Sequence, residues 1–193
     1  MKSVIAILIL ILIISGIRIN YFSNMKQNVL YDTAYELGVH YLEIIKNLEI
    51  RNPTVMFDID DTLLYVNDDY SLTPIKSMIK LLNYCIRNGF IVLIITARDS
   101  RSLAQTKKDL SKNKIRYDYL YLRMSPQDDH HLFKSDAKKM YLDHYHLTTV
   151  MSVGDNEIDI NGPYSGYSIK LPNKSDPRLF HINTYGKLEN VIP

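Results

Sequence analysis

The sequence predicts an α/β domain built on a doubly wound, mostly parallel sheet, with a helical extension ahead of it. Three observations carry this. Strand-length apolar runs such as FIVLIIT (Phe90 to Thr96) and TTVMSVG (Thr148 to Gly154) lack polar alternation, which marks strands covered on both faces. Segments with three- and four-residue apolar spacing separate these runs, as the helical crossovers of a parallel sheet do. The chain has 193 residues, 46% of them hydrophobic, with a net charge of +2, which suits one well-buried domain and an appendage.

The elements follow in order. Residues 1–20 hold an unbroken apolar run, Val4 to Ile14, flanked by Lys2 and Arg18. Its length fits a signal-peptide core, with small Ser15 and Gly16 as a weak cleavage site. It is shorter than the ~20 residues that span a bilayer comfortably, although Lys2 and Arg18 could snorkel and Tyr21 and Phe22 could sit at the interface. Cleaved signal peptide and uncleaved signal-anchor both stay open, and either makes the membrane a partner: the protein is expected to be membrane-anchored or secreted. Residues 21–53 form the helical extension, where Val29, Leu30, Ala34, Leu37, Val39, Leu42, Ile45 and Leu48 recur at helical steps until Arg51, Asn52 and Pro53 end the pattern. Residues 54–193 make the main domain.

Within that domain TVMFDI reads as the first strand. A helix is expected from Pro74 to Arg87, with Thr73 placed to cap it. The second strand is FIVLIIT, followed by a polar helix from Ser100 to Lys112. YDYLYL (Tyr117 to Leu122), a helix from Ser135 to His144, TTVMSVG and SGYSIKL (Ser165 to Leu171) complete the series. The lone Cys85 excludes an intrachain disulfide and reads as a buried thiol. The near-neutral charge gives no basic field to recruit nucleic acid, so no specific nucleic-acid partner is expected. The cluster Lys107, Lys108, Lys112, Lys114 and Arg116 reads as a solvated helix face, and Asp128 to His131 as a polar connection and not a second metal site.

The chemistry lies at the strand ends. In such a sheet ligands collect at the carboxyl ends of the strands. Asp58 and Asp60 close the first strand, Thr96 the second and Asp155 the fourth, with Asp159 just beyond. Four converging carboxylates repel one another unless a divalent cation joins them. Oxygen donors with no His or Cys nearby suit a hard ion such as Mg²⁺, which keeps waters and accepts phosphate oxygens. A carboxylate can attack phosphorus, and a second one two residues on can serve as acid and then base. Thr96 offers a hydroxyl and an N–H, and Lys134 an ammonium, to the charge on transferred phosphoryl oxygens.

DIDDT (Asp58 to Thr62), the Thr of IITAR, the Lys of LFKSDAKK and GDNEID (Gly154 to Asp159) resemble, in order and placement, the four motifs of haloacid dehalogenase-like (HAD) phosphatases. TAR after the second strand and LYLR ahead of FKSDAKK are similar to the class B acid-phosphatase branch. The resemblance implies a Rossmann-like core and a phosphoric monoester hydrolase. Asp58 would be the nucleophile, and Asp60 the general acid/base. Thr96 and Lys134 would bind phosphate. Asp58, the Asp60 carbonyl and Asp155 would ligate Mg²⁺, with Asp159 supporting the metal or Lys134. Lys138 stands where many relatives carry Arg. Neither Leu63 to Thr73 nor Met124 to Phe133 can hold a cap domain, so a capless, open crevice is expected. Nucleotides, sugar phosphates and phosphoproteins are all candidate phosphomonoester substrates, and a homo-oligomer is left open. Two rival classes share such a pocket: a non-catalytic storage or binding protein, and a phosphotransferase or phosphorylated receiver. The retained Asp58 and Asp60 speak against both.

Overall fold

The computed structural model describes residues 27–124 and 132–182, with the backbone alone for 180–182. The leader (residues 1–20) and the Asp128 to His131 connection lie outside the described residues. Among the described residues no helix is long and apolar enough to cross a membrane.

Six strands form the main sheet: β1 (Pro53–Phe57), β4 (Ile91–Asp99), β5 (Tyr119–Arg123), β6 (Thr148–Gly154), β7 (Tyr167–Lys170) and β8 (Phe180–Ile182). Their order is β5-β4-β1-β6-β7-β8, the first five mutually parallel and β8 antiparallel to β7. A separate antiparallel hairpin pairs β2 (Leu64–Val66) with β3 (Leu72–Pro74). The helices are α1 (residues 27–45), α2 (Lys76–Arg87), α3 (Leu103–Lys112), α4 (Phe133–Tyr145) and the single turn α5 (Glu157–Ile160).

The sheet is buried on both faces, which is why its strands read as continuous apolar runs. Val55 and Phe57 of β1, Val92 and Ile94 of β4, and Met151 and Val153 of β6 face a core shared with α1, α2 and Leu110 of α3. Met56, Leu93 and Ile95 face the other way, toward Phe133, Ala137 and Tyr141 of α4. The extension α1 is part of this core. Tyr31, Ala34, Tyr41, Leu42 and Ile45 are its buried positions, and Tyr41 stacks on Tyr167 at 4.3 Å between ring centroids. Val29 and Leu48, counted in the apolar spacing, are exposed. Gly38 lets α1 approach α2, since a Cβ there would meet Leu81 Cδ2 at 2.9 Å. Cys85 is buried in the same core. Lys107, Lys108 and Lys112 of α3, and Lys114 just after it, are exposed, with Thr106 and Leu110 turned inward.

Several boundaries depart from the sequence expectation. The helix after the hairpin starts at Lys76, and its N-cap, Ile75, supplies no side-chain bond. Thr73 does not cap it, because its hydroxyl accepts from Asn67 Nδ2 at 2.8 Å and holds the β2–β3 turn instead. Strand β4 runs to Asp99, three residues past Thr96, through a register shift against β5. The chain adds β4 and β5 on one side of β1 and then crosses to place β6 and β7 on the other. The crevice beyond the carboxyl ends of β1 and β6 is therefore the switch point at which open α/β sheets bind ligands.

Candidate active site

After Phe57 the chain makes a tight turn. The Ile59 carbonyl accepts the N–H groups of Thr62, Leu63 and Leu64 at 3.3, 2.9 and 2.8 Å. Asp61 adopts a φ of +53°, a left-handed conformation that a short polar side chain tolerates, and its carboxylate accepts the Val66 N–H at 3.0 Å. The hairpin thus springs from the turn itself. Asp58 stays on the ladder to β6, its N–H donating to the Val153 carbonyl at 3.1 Å. On β6 the terminal residue must be glycine, because a Cβ at Gly154 would lie 2.1 Å from Asp159 Cβ.

These loops line a cavity of about 540 Å³ whose walls include Asp58, Asp60, Thr96, Lys134, Asp155 and Asp159. All six residues singled out by sequence meet there. Lys134 lies in the first turn of α4, one residue inside the helix and not ahead of it, and its ammonium is buried. It donates to Asp58 Oδ1 at 2.6 Å and to Asp159 Oδ1. Burial alone would lower the Lys134 pKa, but the Asp159 and Asp58 carboxylates outweigh it and hold the ammonium charged. Carboxylate oxygens of Asp58, Asp155 and Asp159 come within 4.8 Å of one another. Burial pushes Asp58 well above the ordinary carboxylate range against the pull of Lys134, and Asp159, Asp155 and Asp60 push the same way. Burial likewise raises Asp155 to about 6, with Asp159 adding to it.

An oxygen-only cluster of buried carboxylates is the donor set a hard cation fits. Asp155 is held for it by Asn173 Nδ2, which donates to its carbonyl and to Oδ2, both at 2.9 Å, and by Asn156 Nδ2 to Oδ2 at 2.9 Å. Asp159 is more committed to protein, with Oδ1 on Lys134 and Oδ2 on the Asn156 N–H at 2.9 Å. Asp60 directs its carboxylate to Arg98 and stands apart from the three-carboxylate cluster.

A pH dependence follows. For acids whose folded pKa is raised, the folded state holds more protons, so their stability is full below the unfolded value and is lost as pH rises through the folded value. Without cation, the contribution of Asp58 and Asp155 is expected to fall from about pH 4 through about pH 6 and above. Added Mg²⁺ should raise the unfolding temperature more at about pH 7.5 than at about pH 5. Thermal melts at both values check this, and an equal rise would mean these carboxylates do not meet the ion.

A sequence profile of the HAD superfamily, subfamily IIIB (acid phosphatase), matches residues 65–176, more than half of the chain. The chain belongs to this family. The acid-phosphatase match holds Thr96, Lys134, Asp155 and Asp159 and begins after the Asp58 to Thr62 turn, whose place in the site comes from the sheet geometry. Among solved structures, the Class C acid phosphatase from Bacillus anthracis is similar with a TM-score of 0.55 at 22% identity, over 70% of this chain and 65% of that one. A chain of the Pnkp1/Rnl/Hen1 complex is similar with a TM-score of 0.54 at 15% identity, over 64% and 47%. At these identities the likeness shows the fold, and this chain spans less than two thirds of the length of either. No curated protein matches the chain.

Two residues of this acid-phosphatase family site, Arg98 and Asn173, escaped the sequence reading, and a third, Lys138, is marked there only by the resemblance. Arg98, quoted within IITAR but given no role, forks onto Asp60 with Nε to Oδ2 at 2.9 Å and Nη2 to Oδ1 at 2.6 Å. Asn173 anchors Asp155 from beyond β7, with no spacing signal to mark it. Lys138, one turn along α4 from Lys134, is fully buried and donates to the Asp159 carbonyl at 3.0 Å, the Asn161 carbonyl at 3.4 Å and Ser165 Oγ at 2.6 Å. It ties the loop after β6 to α4.

Proposed function

We propose that the protein is a Mg²⁺-dependent phosphomonoesterase that passes the phosphoryl group through Asp58. The observation that supports it is the placement of Asp58 at the switch point. Its carboxylate is paired with a buried ammonium and lies beside a cluster of oxygens that a cation would join. Asp58, Asp155 and the Asp60 carbonyl would hold Mg²⁺, which would neutralise carboxylate charge and polarise phosphoryl oxygens.

The chain supplies the rest. An Asp58 oxygen attacks phosphorus, the bond from phosphorus to the leaving oxygen breaks, and the Asp60 carboxyl gives that oxygen its proton. Asp60 then takes a proton from water, which attacks phosphorus, and the bond to Asp58 breaks to free phosphate. Lys134 and Thr96 hold the transferred oxygens. The Thr96 hydroxyl accepts the Arg98 N–H at 3.2 Å and so keeps its own hydrogen to donate. Asp159 holds Lys134. The interval after Thr62 carries only the β2–β3 hairpin, so nucleotides, sugar phosphates and phosphoproteins can all reach the crevice. The same proposal takes the 1–20 segment as the device that exports the domain or anchors it to a membrane.

Release of inorganic phosphate from a panel of these esters, measured with Mg²⁺ and after chelation, tests it. Hydrolysis that is lost on chelation and restored by Mg²⁺ is expected. Tight binding of phosphate esters without turnover would instead make this a binding protein.

A further inference from the structure

We propose that Arg98 is the positioning residue for the acid/base Asp60, and that Asp109 on α3 in turn sets Arg98. The role rests on the function proposed above. Asp60 is half-buried on the turn after β1, its side chain 38% accessible at the crevice, where a lone carboxylate would sample several rotamers. Proton delivery needs one rotamer, aimed at the leaving oxygen within hydrogen-bond reach. The Arg98 fork fixes both carboxylate oxygens at once, at 2.9 and 2.6 Å. Each oxygen keeps a second lone-pair site outside the fork.

Arg98 is itself restrained. Its third nitrogen, Nη1, donates to Asp109 Oδ2 at 2.8 Å, and the other Asp109 oxygen accepts from Gln105 Nε2 at 2.7 Å. Side chains of Arg98 and Asp109 are 16% and 15% accessible, so this pair is largely sheltered from solvent. A solvent-exposed ion pair orders little. A planar guanidinium gripping two carboxylates from two elements orders both, and lysine, with one point charge, cannot copy the fork. The strand extension past Thr96 is what brings Arg98 to this position, so one strand end supplies a phosphate-binding residue and, two residues on, the brace of the acid/base.

The test uses the leaving group. A nitrophenolate departs as a stable anion, whereas an alkoxide needs a proton as its bond breaks. kcat/KM reports only the steps through departure of the leaving group, so the later use of Asp60 as base does not enter it. For Arg98→Ala, kcat/KM is expected to fall ~10²–10³-fold for glycerol 2-phosphate and less than ~10-fold for 4-nitrophenyl phosphate. Arg98→Lys should show the same bias at smaller size, and Asp109→Asn, remote from the crevice, a bias of a few-fold. Should Arg98→Ala fail to fold, the other two decide by the same ratio. Equal losses on both esters in the folded variants would overturn the positioning role and reduce the contact to a structural one. A wild-type protein that hydrolyses neither ester overturns the phosphomonoesterase reading itself, and this role with it.

Discussion

Replacing Asp58 by Asn is expected to abolish turnover, lowering kcat at least ~10⁴-fold, while leaving the chain folded. The carboxamide matches the carboxylate in shape, and its oxygen can still accept from Lys134. It cannot form the acyl phosphate. Stability should hold for an electrostatic reason. Asp58 is buried among Asp155, Asp159 and Asp60, and burial already disfavours its charge. A neutral amide removes one desolvated charge and three repulsions, and Lys134 keeps Asp159 as its partner. The metal-free variant should therefore unfold within a few degrees of the wild type, or above it. Phosphate release and a thermal melt on one preparation check both halves. Full activity would remove Asp58 from the nucleophile role, and a drop of ten degrees or more would show that the Lys134–Asp58 pair is needed to hold the fold.

The legible parts of this chain are those where a single physical demand controls a run of residues. Burial on both faces made β1, β4 and β6 continuous apolar strings, and their carboxyl ends gave the position of Asp58, Thr96 and Asp155 without further information. The unread parts are those decided by partners far off in sequence. Pro74 after Thr73 fits a capped helix start, yet the fixed φ of proline fits an edge strand equally well, and Asn67 drew Thr73 into the hairpin. Arg98 meets Asp60 across 38 positions, through a register shift that leaves no trace in composition. Lys134 reads from sequence as a lysine at a helix start, a place where such a side chain is usually solvated. Only the packing of α4 against β4 and β6 shows it buried between two aspartates.

That burial makes Lys134→Met the most damaging change to the fold expected at the site. Removing one partner of a buried ion pair costs about 3–5 kcal/mol, because the carboxylates left behind have neither water nor a cation. Here two are left, Asp58 and Asp159, with Asp155 beside them. The loss should be strongly non-additive with its neighbour. Lys134→Met combined with Asp159→Asn is expected to be more stable than Lys134→Met alone, since the second change removes a charge that the first has orphaned. Mg²⁺ should also recover part of the lost stability in the single variant by joining the remaining oxygens. Activity should not follow. The ammonium also faces the transferred phosphoryl oxygens in the proposed reaction, and losing a preorganised donor of that kind costs ~10²–10³-fold in kcat. Unfolding temperatures and kcat measured with saturating Mg²⁺ separate the two roles: recovered stability with depressed turnover assigns Lys134 to the phosphate as well as to the fold. Recovery of both would leave it a structural counter-charge, and a double variant no more stable than the single one would show that Asp159 was not orphaned at all.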